Sequence, residues 1–250
     1  MRRLIYAVII LMALFEPLNA QVNVEALRIR RTEGFSSKSS LNFSHTEGNV
    51  DSSIFGLNLN LSYQLWRFNF INITDWGYGS SKGVAFKNQG FQHLRMSYIE
   101  EKVGFDVFLQ GQYDDFKDLT FRGLAGGGFR CEDFFLEGSL RASAGFGLMA
   151  EYEELKVNPS EGLTSRLNSY VSLIADLDDG DFLSFTTYYQ PKPKVLQDYR
   201  VALDLALDTH VLSDYIVVSP FYTYRYDSTP PVGVLKTDKT TGVRFGFKYW

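Results

Sequence analysis

The feature that most constrains this chain is an alternation of apolar and polar residues with period two, recurring in about twelve segments of roughly 10 to 18 residues. Phe55–Tyr63, Val103–Tyr113, Leu136–Tyr152 and Tyr199–Val211 show it best. In the last of these, Val201, Leu203, Leu205 and Leu207 share one face, and Ala202, Asp204, Ala206 and Asp208 share the other. A helix would also bring Asp204 and Asp208 together, so the strand reading is taken because the neighbouring segments alternate too. Phe68–Gly77 and Arg166–Leu177 alternate badly, and bulges are expected there.

The joints between segments add a second pattern. Leu65-Trp66, Glu100-Glu101-Lys102, Cys131-Glu132-Asp133, Asp178-Asp179-Gly180 and Ser213-Asp214 read as tight turns after even segments. Gly79–Phe86, Asp114–Leu119, Glu153–Thr164, Gln190–Asp198 and Asp227–Asp238 read as longer loops after odd ones. Pro159, Pro191, Pro193, Pro230 and Pro231 fall in those longer joints, as expected of a residue without a ladder donor. Pro220 is the exception and is expected to mark a bulge. Strands of a soluble sandwich average five or six residues, about half the length seen here. Segments near ten residues suffice to cross a bilayer at a tilt. The expectation is an all-β, antiparallel, up-and-down transmembrane β-barrel of about 12 strands over 34–250, with both ends on the short-turn, periplasmic side of a bacterial outer membrane.

The first residues fit export. Arg2 and Arg3 precede an apolar run from Leu4 to Phe15, then Pro17 and Ala20, which reads as a cleaved signal peptide over 1–20. The segment 21–33 has no assigned place. No later stretch reaches the roughly 18 apolar residues of a spanning helix. The single cysteine, Cys131, excludes an intramolecular disulfide. A formal net charge of -4 gives no electrostatic case for nucleic acid.

The last segment, TTGVRFGFKYW, has Val243, Phe245, Phe247 and Tyr249 in one row. Gly242, Phe245, Phe247, Tyr249 and Trp250 look like the C-terminal signal read by the barrel-assembly machinery of outer-membrane proteins, with Trp250 one place beyond the usual register.

Several stretches resemble a bacterial family described as salt-induced outer membrane proteins, long regarded as a domain of unknown function. They are GNVDS from Gly48, NQGFQHLRMSY from Asn88, FLQGQYDDFKDLTFRGLAGGGFR from Phe108, and AEYEEL from Ala150. The resemblance implies an outer-membrane barrel and no particular reaction.

If the apolar rows face lipid, the other rows face the lumen. That places Asp106, Gln110 and Gln112 inside from the fifth segment, and Arg122 and Arg130 from the sixth. Glu137, Ser139, Arg141 and Ser143 follow from the seventh, Asp204 and Asp208 from the tenth, Arg244 and Lys248 from the twelfth. Two readings follow: a porin-like passage for small polar solutes or ions, selected by a transverse field, and a lumen filled by salt bridges, since buried charges are retained when paired. The passage is preferred, with a closed barrel acting through its outer loops, Glu153–Thr164 and Asp227–Asp238, as the alternative. Outer-membrane lipid and lipopolysaccharide are the expected surroundings.

No enzyme, cofactor or metal centre is expected. Gly126, Gly127 and Gly128 lack the Lys-Ser/Thr of a phosphate loop. DLDDGD at Asp176–Asp181 departs from a calcium loop and reads as an acidic turn. EYEEL, with Asp114 and Asp115, is the better divalent-ion candidate, though a solvated face is preferred. Against a lipid hydrolase, His93 and Ser97 lie about 13 Å apart along a strand, and no Gly-x-Ser-x-Gly elbow occurs. His45 and His210, like His93, are read as polar lumen residues.

Overall fold

The computed structural model describes residues 33–47, 51–157, 162–177, 180–211 and 215–249, with only the backbone described for Asn42 and 247–249. The leader over 1–20, the segment 21–33 except Glu33, and Trp250 lie outside these residues.

Twelve strands form one sheet. They are β1 Gly34–Thr46, β2 Ser52–Leu65, β3 Phe68–Ser81, β4 Val84–Glu100, β5 Val103–Asp114, β6 Leu119–Glu137, β7 Leu140–Leu155, β8 Gly162–Asp176, β9 Phe182–Lys192, β10 Val195–His210, β11 Ile216–Asp227 and β12 Thr237–Tyr249. Each pairs antiparallel with its neighbours in sequence, and β1 pairs β12 at Ser37↔Tyr249, Lys38↔Lys248 and Ser39↔Phe247. The sheet is therefore a closed barrel. The rim where β1 begins and β12 ends is called proximal here, and the other distal.

Alternation decides which side faces in. On β5 the inward residues Gly104, Asp106, Phe108 and Gln110 are buried, while Val103, Phe105, Val107 and Leu109 are exposed. Large apolar side chains cover the outside on every strand from β1 to β10, among them Phe43, Leu65, Phe70, Leu94, Phe129, Phe146, Leu163 and Leu183. The buried set is rich in polar and charged residues. A soluble barrel has this arrangement inverted.

Several expectations about the connections are corrected. The strands reach 19 residues, so hairpins expected to be long loops are mostly extended ladder. Lys82-Gly83, with φ of 50° and 77°, forms a two-residue turn of the kind that matches strand twist, in place of the loop Gly79–Phe86. Pro193-Lys194 is also a two-residue connection, but without the positive φ of Lys82-Gly83, and it stands in place of the loop Gln190–Asp198, leaving Pro191 paired with Tyr199 inside the ladder. The distal rim keeps one long described connection, between Asp227 and Thr237. The sixth segment does not end at Cys131-Glu132-Asp133. β6 continues through a register shift between Cys131 and Phe135, and the turn falls at Gly138-Ser139. Asp133, at φ 46°, takes up the extra residues there.

No register shift is found at Phe68–Gly77, at Arg166–Leu177 or at Pro220. Alternation fails in the first two because Ile71, Ile73, Tyr170 and Ile174 are apolar residues facing inward. Pro220 is accommodated because β10 offers no partner opposite it: the printed pairs step from Ala206↔Phe221 to Thr209↔Val218.

The glycines of β6 and β7 are required by close approach. A Cβ on Gly128 would lie 2.5 Å from the Phe146 carbonyl oxygen and 2.6 Å from Gly147 Cα. Neither is a side chain that can swing away. Gly128→Val is expected to cost about 2–3 kcal/mol by forced backbone displacement. Gly111→Ala, whose nearest neighbour would be the Phe121 ring at 3.6 Å, should stay within about 0.5 kcal/mol. Equilibrium urea unfolding of the lipid-folded barrel measures both.

Candidate functional site

The interior is organised around Glu151 on β7. The inward row of β7 runs through Arg141, Ser143, Gly145 and Gly147 to Glu151 and Glu153, with Tyr152 exposed outside. EYEEL is thus strand, and its first two acids face in, correcting the expectation of an acidic loop. The residue is 2% exposed, as is its partner Arg166 by side chain.

Three guanidiniums converge on this carboxylate. Arg166 Nε of β8 donates at 2.6 Å, Arg122 Nε of β6 lies at 3.2 Å, and Arg200 of β10 donates through Nη1. Arg122 and Arg200 also share Glu153, at 2.6 and 3.1 Å. Arg200 reaches Asp227 of β11 at 2.8 Å, and Arg166 reaches Asp198 at 2.9 Å. Lys192 of β9 completes the group on Asp198 at 2.6 Å. Four cations and four carboxylates from six strands thus balance in charge. The bond from β7 to β10 skips two strands, so it crosses the lumen as a chord.

Two further groups fill the rest. Toward the proximal rim, Lys38 of β1 pairs with Asp208 of β10 at 2.5 Å and donates to Ser219 of β11 at 3.0 Å. Arg225 pairs with Asp204 at 2.6 Å, and Arg244 lies over the Phe221 ring at 3.7 Å. On the opposite wall, Arg95 and Arg130 flank Asp106 at 3.7 and 3.6 Å, and Arg130 reaches Glu132 at 3.0 Å. Apolar side chains separate these groups: Phe108, Leu124 and Met149 form one cluster, Tyr170, Tyr188 and Ala202 another.

Of the residues expected in the lumen, Asp106, Gln110, Arg122, Arg130, Asp204, Asp208 and Arg244 face in. Arg141 faces in near the proximal rim, paired with Asp176 at 2.9 Å. Glu137 is corrected: it ends β6, not the seventh strand, and is exposed at the rim. Ser139 lies in the turn rather than the lumen. The cause in both cases is the bulge at Asp133. Of the closing-strand residues, Phe245 is 64% exposed on the outer wall. Gly242 pairs with Phe221, while Phe247 and Tyr249 are placed by register alone.

Glu151, Glu153, Arg166, Arg200, Asp198, Lys192, Lys38 and Arg95 were not expected as interior charges. The signal for Glu151 and Glu153 was present, since they continue the odd-numbered row of Arg141 and Ser143. Their arginine partners lie too far along the chain for any local pattern to pair them.

The histidines are held structurally. His93 Nδ1 lies 3.1 Å from Gln110 Oε1, and Arg95 Nε donates to His93 Nε2 at 3.3 Å. Asp181, in the expected acidic turn, accepts from Thr209 and from the His210 backbone N–H, at 2.7 and 2.8 Å. Asp178 and Asp179 lie outside the described residues. His45 sits exposed at the distal rim beside Ser53 and Glu47. Among the described residues, no three His, Cys, Asp or Glu side chains group to hold a metal ion.

Above the Glu151 network lies a distal vestibule of about 190 Å³. Arg122, Arg200, Arg225 and Gln112 line it, and Pro230, Pro231, Val234 and Leu235 of the β11–β12 connection cover it. That connection is tied down by Ser228 N–H to Tyr199 O at 3.0 Å and by Lys117 to Asp238 at 2.6 Å. Beside it, Asp115 accepts from Lys156 Nζ at 2.6 Å and Asn88 Nδ2 at 2.7 Å. These bonds, Lys156 first, hold the Asp115 carboxyl below the usual carboxylate range.

A family model described as "Protein of unknown function, DUF481" matches residues 40–249. No curated protein matches the chain. Among solved structures, the beta domain of the Bordetella autotransporter Brka is similar, at 11% identity and a TM-score of 0.40, over 87% of this chain and 98% of that one.

Two outcomes are expected. Glu151→Ala leaves three buried guanidiniums without their shared carboxylate and should destabilise the folded barrel by about 3–5 kcal/mol in urea unfolding. Asp115, with a lowered pKa, adds stability above its unfolded pKa that is lost as pH falls through the lowered value. Hydrogen exchange at 115–118 and 156–157 should therefore speed up only in acid below the usual carboxylate range, and Asp115→Asn should abolish that pH dependence.

Proposed function

The chain belongs to the DUF481 family of proteins of unknown function, and on that premise we propose that it is a bacterial outer-membrane β-barrel whose lumen is closed by its own side chains and which acts at its distal rim. A closed sheet with an apolar outer wall is a form of backbone that lipid tolerates, because no N–H or C=O is left at an edge. The observation that supports closure is the Glu151 hub: a 2%-exposed carboxylate bonded across the lumen to Arg200 and flanked by Arg122 and Arg166. Most of the charges that would have to select ions are instead paired with one another across the interior.

This reading favours the alternative drawn from the sequence over the preferred passage. Its working surface is the vestibule and the β11–β12 connection above it. The role it suits is structural or surface-binding, and adaptation of the envelope to salt or osmotic stress falls within it. The surroundings are outer-membrane lipid and lipopolysaccharide, and the partner in assembly is the barrel-assembly machinery, reading β12. A non-enzymatic role is supported by His93, whose ring nitrogens are held by Gln110 and Arg95 inside the barrel.

Single-channel recording in a planar bilayer tests this, with heat-modifiable gel mobility as the folding control. The folded protein should give no ion-selective steps, and removal of 228–236 should leave it silent because the hub lies below that connection. Replacing Glu151, Arg122 and Arg200 together by Ala should produce steps. Stable selective steps in the unaltered protein would overturn the closed lumen and restore the passage.

A further inference from the structure

The vestibule above the Glu151 hub contains polar atoms that the protein leaves without a bond. They lie at one level of the ladder. Asp75 of β3 stands opposite Phe91 of β4, Phe91 opposite Gln112 of β5, Gln112 opposite Arg122 of β6, and Arg122 opposite Glu153 of β7. The first four of these line the cavity.

One end of this row offers donors. Arg122 meets Glu151 and Glu153 through Nε and Nη2, and its Nη1 makes no bond within the described residues. Its neighbour Gln112 accepts from Gln110 through Oε1, and Gln112 Nε2 makes none. The other end offers an acceptor. Asp75 Oδ2 accepts from Asn58 Nδ2 at 3.1 Å, and Asp75 Oδ1 makes no bond. Lys87 and Arg244 act on Asp75 through space, without an ion-pair contact. None of these three unbonded atoms is sealed from water, whereas Asp204 Oδ2 is.

Charge selects the ligand. A bare anion at Arg122 would meet Glu153 beside the guanidinium and Asp75 along the row. A bare cation at Asp75 would share the cavity with Arg122, Arg200 and Arg225. A molecule that is anionic at one end and cationic at the other suits both ends. Two adjacent donors, one of them charged, fit a carboxylate. A carboxylate beside an aromatic ring fits an ammonium, which the ring face also attracts. A sugar hydroxyl both donates and accepts, so it makes no use of this division.

Shape narrows the class. β3 and β5 are two strand spacings apart, about 10 Å at the backbone, so the two ligand charges stand several bonds apart. Between them the lining is apolar, with Phe91 on the wall and Pro230, Pro231, Val234 and Leu235 in the cover.

We propose that the vestibule binds a small amino-carboxylate with an aliphatic chain between its charges. Its carboxylate lies on Arg122 Nη1 and Gln112 Nε2, its ammonium between Asp75 and the Phe91 ring, and its methylenes under the β11–β12 connection. The site rests on the reading of the distal rim as the working surface and not on closure of the lumen.

Isothermal titration calorimetry of the detergent-folded barrel with γ-aminobutyrate tests it, beside butyrate, butylammonium and glucose. The γ-aminobutyrate should bind about tenfold more tightly than butyrate or butylammonium, the loss expected of one hydrogen bond to a charged group. Glucose should give no saturable heat. Asp75→Asn, which keeps the shape and removes the charge, should lower γ-aminobutyrate affinity about tenfold, to that of butyrate. Gln112→Leu should weaken γ-aminobutyrate and butyrate alike and leave butylammonium unchanged. Heat-modifiable mobility confirms that each variant is folded. Absence of saturable γ-aminobutyrate binding by the folded, unaltered protein would overturn the proposal. So would equal binding of butyrate, butylammonium or glucose, or undiminished binding by Asp75→Asn. Channel recording on the same preparation separates the two readings. Silence without binding overturns this site alone, and ion-selective steps with binding overturn closure alone.

Discussion

The pairing of β1 with β12 is the contact on which everything else depends. It joins residues about two hundred positions apart and leaves the sheet without an edge. In water an edge strand can be solvated, but in hydrocarbon each unpaired backbone group costs several kcal/mol. Once the seam closes, the two faces of every strand become an inside and an outside. The same row of Leu and Phe that would have needed a core can then face lipid. The polar row is gathered into a narrow interior, where its charges have to find one another.

The interior solves that problem by convergence. A single arginine beside Glu151 would leave much of its own guanidinium unpaired in the interior, because its five N–H donors exceed what one bidentate carboxylate pairing uses. Sharing among Arg122, Arg166, Arg200, Glu153, Asp198 and Asp227 gives each guanidinium more than one carboxylate to meet. Breaking one member exposes the rest, which is why such a network is strong against opening although each bridge contributes little net stability relative to an apolar core. The apolar clusters at Phe108 and Tyr170 limit water access between the charged groups. The close β6–β7 approach at Gly128 and Gly147 brings the strands that carry Arg122 and Glu151 together.

The wall is uneven in a way that the interior is not. Most outward rows are Leu, Phe, Val and Tyr, yet β3 and β4 place two amides and a hydroxyl among them. Small residues at Gly111, Gly123 and Ala125 hollow the neighbouring surface.

The sequence by itself determined the strand character, the count of twelve, the antiparallel up-and-down order and which row of each strand is apolar. All of these are properties of period two and of turn residues close to one another in the chain. Asp106, Gln110, Arg122, Arg130, Asp204, Asp208 and Arg244 were legible as interior residues for the same reason. Glu137 was misplaced because the bulge at Asp133 shifts the phase of β6, and a phase shift is set by the partner strand. The distal loops looked longer than they are because Pro191 and the Gly79–Phe86 stretch carry turn residues that the ladder absorbs at an irregular register. Only the tertiary structure decided that Arg200 meets Glu151 across the lumen, that Lys38 meets Asp208, and that the vestibule is capped by the β11–β12 connection. Those contacts are set by barrel curvature and strand stagger, which no local stretch of residues encodes.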